Sequence, residues 1–104
     1  MSQLMQQIDT CIYTTINRLS GESGSMESKF YIDLFAAHPD RKRITEKLVE
    51  ESISLCRSRG IGAEVSGDGL MITINLYSCY LSPEQAKLFN TALDYTRTMH
   101  GNHV

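Results

Sequence analysis

The chain has 104 residues, 41% of them apolar and 21% charged, a composition that builds one hydrophobic core and excludes a disordered tail. Ten basic against twelve acidic residues leave a net charge of −2, so no global attraction to nucleic acid or to a membrane surface is built in. No apolar run approaches the roughly 20 residues of a membrane-spanning helix, and Gln3, Gln6, Gln7 and Asp9 interrupt any secretory signal.

Residues 1–20 carry Met5, Ile8, Ile12 and Leu19 at helical spacing, widened by Leu4, Cys11 and Ile16. This predicts an N-terminal amphipathic helix with Ser2 as its cap and Gly21 as its stop. Its polar face is rich in Gln and nearly uncharged, which hints at cover by a partner. Residues 21–28, GESGSMES, read as a flexible linker. An α+β domain is then expected over 29–101, followed by a frayed tail at 102–104.

Within that domain, Lys29 to Ala37 alternate as a strand, with Phe30, Ile32, Leu34 and Ala36 on one face. His38-Pro39-Asp40 closes it, and Asp40 is expected to cap a helix from Arg41 to Arg59 that ends at Gly60. Ile61 to Val65 read as a short strand. Ser66-Gly67-Asp68-Gly69 is a hairpin signal, because glycine supplies the positive φ of tight turns. Leu70 to Leu81 alternate as a long third strand. The last helix has a nearly complete start: Ser82 as cap, Pro83 at its first position and Gln85 reaching back.

The order α-β-α-β-β-α implies a two-layer α+β fold. The longest and most apolar strand belongs at the centre, which gives sheet order 1-3-2, a split β-α-β arrangement. The second and third helices are expected on the face carrying Phe30, Ile32, Leu34, Ile72, Ile74 and Leu76. The opposite face would then show Tyr31, Asp33, Phe35, Glu64, Met71, Thr73, Asn75, Tyr77 and Cys79. That face is too apolar for ordinary surface and too polar for a second core. Three occupants compete for it: the first helix, a second copy of the chain, or a ligand or single-stranded nucleic acid stacked on Tyr31, Phe35 and Tyr77. Asp33 and Glu64 would repel phosphates there.

Few constellations carry chemistry. Cys11, Cys56 and Cys79 are an odd, widely spaced set, expected as buried apolar groups in a reducing, cytoplasmic compartment. No imidazole is spaced to activate any of them. Arg41, Lys42 and Arg43 would oppose the dipole of the helix they are expected to start, so they are the candidate site for an anion or an acidic partner. His100-x-x-His103 lacks a carboxylate or thiolate nearby in sequence, and no metal or cofactor is expected. The reading is therefore a non-catalytic protein-binding module, an adaptor, regulator or inhibitor, working as a homodimer. Its partner-binding residues would be Tyr31, Asp33, Phe35, Met71, Thr73, Asn75 and Tyr77. Nucleic-acid binding through the sheet face or the basic turn is the alternative, and a small anion-binding enzyme or subunit the second.

Overall fold

A computed structural model describes residues 3–21 and 25–100. Helix α1 spans Gln3–Ser20, strand β1 Glu27–Asp33, the short helix α2 Leu34–Ala37, and helix α3 Glu46–Ser58. Strands β2, Gly62–Ser66, and β3, Gly69–Asn75, form a hairpin, and helix α4, Pro83–His100, closes the chain. The sheet order is β1-β3-β2, with β3 antiparallel to both neighbours. The α+β order and the central place of the third strand follow the sequence pattern. The Ser2 cap, residues 22–24 of the linker, the Gly101 stop and the 102–104 tail lie outside the described residues.

The sheet is strongly two-sided. Ile32, Ala63, Leu70, Ile72 and Ile74 point into a core that also holds Leu4, Ile8, Ile12, Ile16 and Leu19 of α1, Cys56 of α3 and Phe89 of α4. Every one of these is buried because a strand alternates its side chains, while a helix repeats its apolar stripe every three or four residues. The first helix therefore does not fold over the second sheet face. It joins α3 and α4 on the first.

Polar contacts fix that roof. Asp9 on α1 accepts from Arg59 Nη2 at 3.3 Å and from Gln85 Nε2 at 3.1 Å through the same Oδ1 atom. Arg59 is the C-cap of α3. Gln85 is fully buried, and its Oε1 accepts from Ser82 N while Ser82 Oγ accepts from Gln85 N. This is the reciprocal capping box expected from Ser82-Pro83-Glu84-Gln85. Thr96 Oγ1 donates to the Leu19 carbonyl at 3.0 Å. Residue 9 thus meets residue 85 and residue 19 meets residue 96, so α1 and α4 run parallel.

Strand β1 begins at Glu27, inside the stretch 21–28 expected as linker, because it pairs with β3 from Asn75 onward. Three further boundaries differ from the sequence expectation by four residues or more. The first strand ends at Asp33, not Ala37, because the Asp33 carboxylate accepts from Phe35 N and caps α2. The third strand ends at Asn75, not Leu81, because Asn75 Oδ1 accepts from Tyr77 N and its carbonyl accepts from Ser78 and Cys79. The second long helix starts at Glu46, not Arg41, because Thr45 Oγ1 accepts from Leu48 N. In each of these three a short polar side chain offers the backbone a local partner and ends or delays the regular element.

Two glycines carry the hairpin. Gly67 has φ +59 and Asp68 a negative φ, which fits a type II′ turn with glycine at its first central position. Gly69 sits where β3 passes Ile32, and a Cβ there would collide with the Ile32 carbonyl and lie 2.7 Å from the Tyr31 ring. Gly69→Ala is expected to cost about 2–4 kcal/mol through overpacking against fixed backbone. Gly67→Ala, which meets open space, should cost only about 1–2 kcal/mol from its left-handed backbone. Urea denaturation of the two variants measures the difference. The same assay tests the roof: Asp9→Ala leaves Arg59 and Gln85 without their acceptor and should cost about 2–3 kcal/mol. Lys47→Ala, which breaks the exposed 4.0 Å pair with Glu51, should change stability by about 0.5 kcal/mol or less.

Candidate functional site

Among the described residues, no element covers the face of the sheet opposite the helices. Cross-strand register sets Tyr31 beside Met71 and Met71 beside Glu64, and sets Lys29 beside Thr73 and Thr73 beside Gly62. Lys29, Glu64 and Met71 are exposed, and Tyr31 is 52% exposed. A cleft of about 290 Å³ runs along this face, with Arg57 at the end of α3 reaching its rim. The result is a small apolar centre, the Tyr31 ring and the Met71 thioether, inside a ring of both charges.

The structure brings together only part of the expected set. Tyr31, Met71 and Thr73 share the bare face, and Asn75 stands at its end. Asp33 is spent on capping α2, and Phe35 lies in α2 and not on the sheet. Tyr77 belongs to the turn after β3, where its ring meets Phe89 edge-on at 5.9 Å. Cys79 is buried in the core. Tyr31, Phe35 and Tyr77 therefore form no continuous stacking platform.

The basic turn also moves. Arg41, Lys42 and Arg43 are exposed and precede the Thr45 cap, so they lie outside α3 and oppose no dipole. Glu46 occupies the first turn instead, where an acidic group is favoured. The broken rule that singled out these three cations is not broken. His100 ends α4, and His103 lies outside the described residues. Among the described residues no three His, Cys, Asp or Glu side chains cluster as metal ligands. Nor is any helix among them long and apolar enough to cross a membrane.

A second surface escaped the sequence reading. Leu88 and Tyr95 belong to the apolar residues of the last helix, yet they are 42% and 51% exposed. With Tyr13, Ile16 and Ala92 they line a groove of about 330 Å³ between α1 and α4. Their seven-residue spacing on α4 marks one helical stripe, but a stripe alone does not say whether a neighbour covers it.

The cysteines behave as apolar groups. Burial pushes all three thiols above the ordinary range, and Arg18 offsets this at Cys11 while Arg59 offsets it at Cys56 and Cys79. A raised pKa disfavours the thiolate, the form that acts as nucleophile. Comparison with protein-family models, with curated proteins and with solved structures finds no match to this chain.

The thiol shifts fix a pH dependence. The folded state holds its thiol protons after the unfolded chain has lost them, so stability is fully present below the unfolded thiol pKa, about 8.5, and declines above it. Thermal melting followed from neutral to alkaline pH should show that decline, and Cys56→Ala should flatten its slope even though it lowers the melting temperature overall.

Proposed function

We propose that this protein is a non-catalytic binding module, an adaptor, regulator or inhibitor, that works as a homodimer and presents its bare sheet face to a protein partner. One observation carries the reading: the Tyr31–Met71 pair stands exposed at the middle of an uncovered sheet, within a rim formed by Lys29, Glu64 and Arg57. Aromatic and methionine side chains at the centre with charges at the edge are the composition of protein interfaces. Met71 supports it further, since an unbranched thioether adapts to the shape of what covers it.

A protein suits this face better than a polyanion does. Glu27, Asp33 and Glu64 are exposed on or beside it, and they oppose phosphate at the position where Lys29 would attract it. At about 290 Å³ the cleft on this face is at the lower limit of pockets that bury most of a small molecule, which favours a broad contact.

Capture from lysate with the wild-type chain and with the double variant Met71→Lys, Thr73→Lys tests the proposal. A protein held by the wild type and lost by the variant, at unchanged circular dichroism, is the expected result. Equal capture by both, or capture by neither, removes the bare face as a binding site.

A further inference from the structure

We propose that a second copy of the chain joins the sheet at the outer edge of β1, strand to antiparallel strand, about a two-fold axis at Phe30. The inference deepens the homodimer reading above by naming the surface, and it does not depend on what binds the bare face.

The backbone parity of β1 leads to it. Leu76 N donates to the Met26 carbonyl and Leu34 N to the Asp68 carbonyl, so the even-numbered residues of β1 exchange hydrogen bonds with β3. In an antiparallel pair these positions alternate, and the intervening residues point N–H and C=O away from the partner strand. Glu27, Lys29, Tyr31 and Asp33 therefore direct their backbone groups to the open edge.

Both ends of that edge are already used. The Ser25 hydroxyl accepts from Glu27 N and donates to the Glu27 carbonyl. Asp33 is the N-cap of α2, whose carbonyl takes the first bond of the helix. What stays open is the stretch between them. Because β1 is an edge strand paired only with β3, this parity leaves the N–H and C=O groups of Lys29 and Tyr31 facing no other strand among the described residues.

That opening is self-complementary. With Phe30 on the axis, Lys29 of one chain lies opposite Tyr31 of the other, twice, and each pair exchanges both of its backbone bonds. All the free groups are satisfied. Phe30, only half-buried under the Arg18 guanidinium at 4.9 Å, would meet its own copy across the axis. An axis at Tyr31 would instead call on the Asp33 carbonyl, which α2 uses.

Helix α1 supplies an independent argument. Gln3, Gln6, Gln7 and Thr10 line a cleft of about 330 Å³ together with Tyr31 and Ile32, so this uncharged stripe lies alongside the same edge. A two-fold axis perpendicular to the sheet keeps both helical roofs on one side and brings the two stripes toward each other. A charged side chain facing its own copy repels it, whereas an amide or hydroxyl both donates and accepts and can bond to itself. The opposite edge has no such flank. Strand β2 is shorter and lies against α3, which carries Glu46, Lys47, Glu50, Glu51 and Arg57.

Light scattering combined with residue-resolved amide exchange tests this on the full chain. The expected result is a two-chain mass, with Lys29 and Tyr31 amides protected alongside those of Phe30 and Ile32. Lys29→Pro removes an N–H that bonds nothing within one chain, so it should halve the mass and leave the circular dichroism intact. Should that variant fail to fold, Thr10→Glu, at an exposed site on the α1 stripe, should weaken association by about tenfold or more through like-charge repulsion. A single-chain mass at all concentrations overturns the inference, and so does a dimer in which Lys29 and Tyr31 exchange freely. A dimer insensitive to both substitutions overturns it as well. A single-chain mass removes the homodimer from the proposed function as well, whereas a dimer in which Lys29 and Tyr31 exchange freely removes only this edge; capture through Met71 and Thr73 is read separately from both.

Discussion

One carboxylate oxygen decides where the first helix goes. Asp9 Oδ1 holds the guanidinium of Arg59, the C-cap residue of α3, and the buried amide that completes the capping box of α4. Both donors are largely removed from water, so each needs a partner, and a charged acceptor strengthens both bonds. Because those donors lie on the helical side of the sheet, α1 is committed to that side too. Its apolar stripe then completes the core and the other sheet face is left without a roof. The bare face, the exposed edge of β1 and the amide stripe beside that edge all follow from this placement.

The large features were legible in the sequence wherever periodicity is long. The alternation of Leu70, Ile72 and Ile74, the three-four spacing of Ile8, Ile12 and Ile16, and the Ser82-to-Gln85 cap each correspond to an element or a contact in the structure. Boundaries were lost at Asp33, Asn75 and Thr45 for one shared reason. Alternating apolar residues continued past the first two, and a helical stripe was read back through the third. Hydrophobic pattern reports which faces are buried, whereas an element ends where a side chain captures the backbone. Phe35 and Tyr77 were assigned to the sheet face through that error, and Arg41 to Arg43 to a helix they never enter.

The side of the sheet taken by α1 was not legible at all. Its apolar stripe fits either face, and the deciding contacts join residues 9, 59 and 85, which no local spacing connects. Sequence alone treated the helix as a possible cover for the second face. The Gln-rich surface of α1 remains unusual for a solvated helix face once the structure is known. A solvated helix face ordinarily carries mixed charges, as α3 does, and the eighteen residues of α1 carry only Asp9 and Arg18. Asp9 is turned inward to Arg59 and Gln85, which leaves the outward surface more neutral still.

An exposed strand edge is a hazard unless something limits what can add to it. Here the limit is geometric. The Ser25 hydroxyl blocks one end of β1 and the start of α2 blocks the other, so the open backbone is confined to Lys29 and Tyr31. A long flat edge accepts strands in many registers, each shift of two residues preserving the side-chain pattern. An edge this short loses half its hydrogen bonds on such a shift. Lys29 adds a second restriction, because a cation on the exposed face repels another copy laid directly opposite it. The local chemistry that ended the strand early, and so hid its true length from the sequence, is also what makes its edge selective.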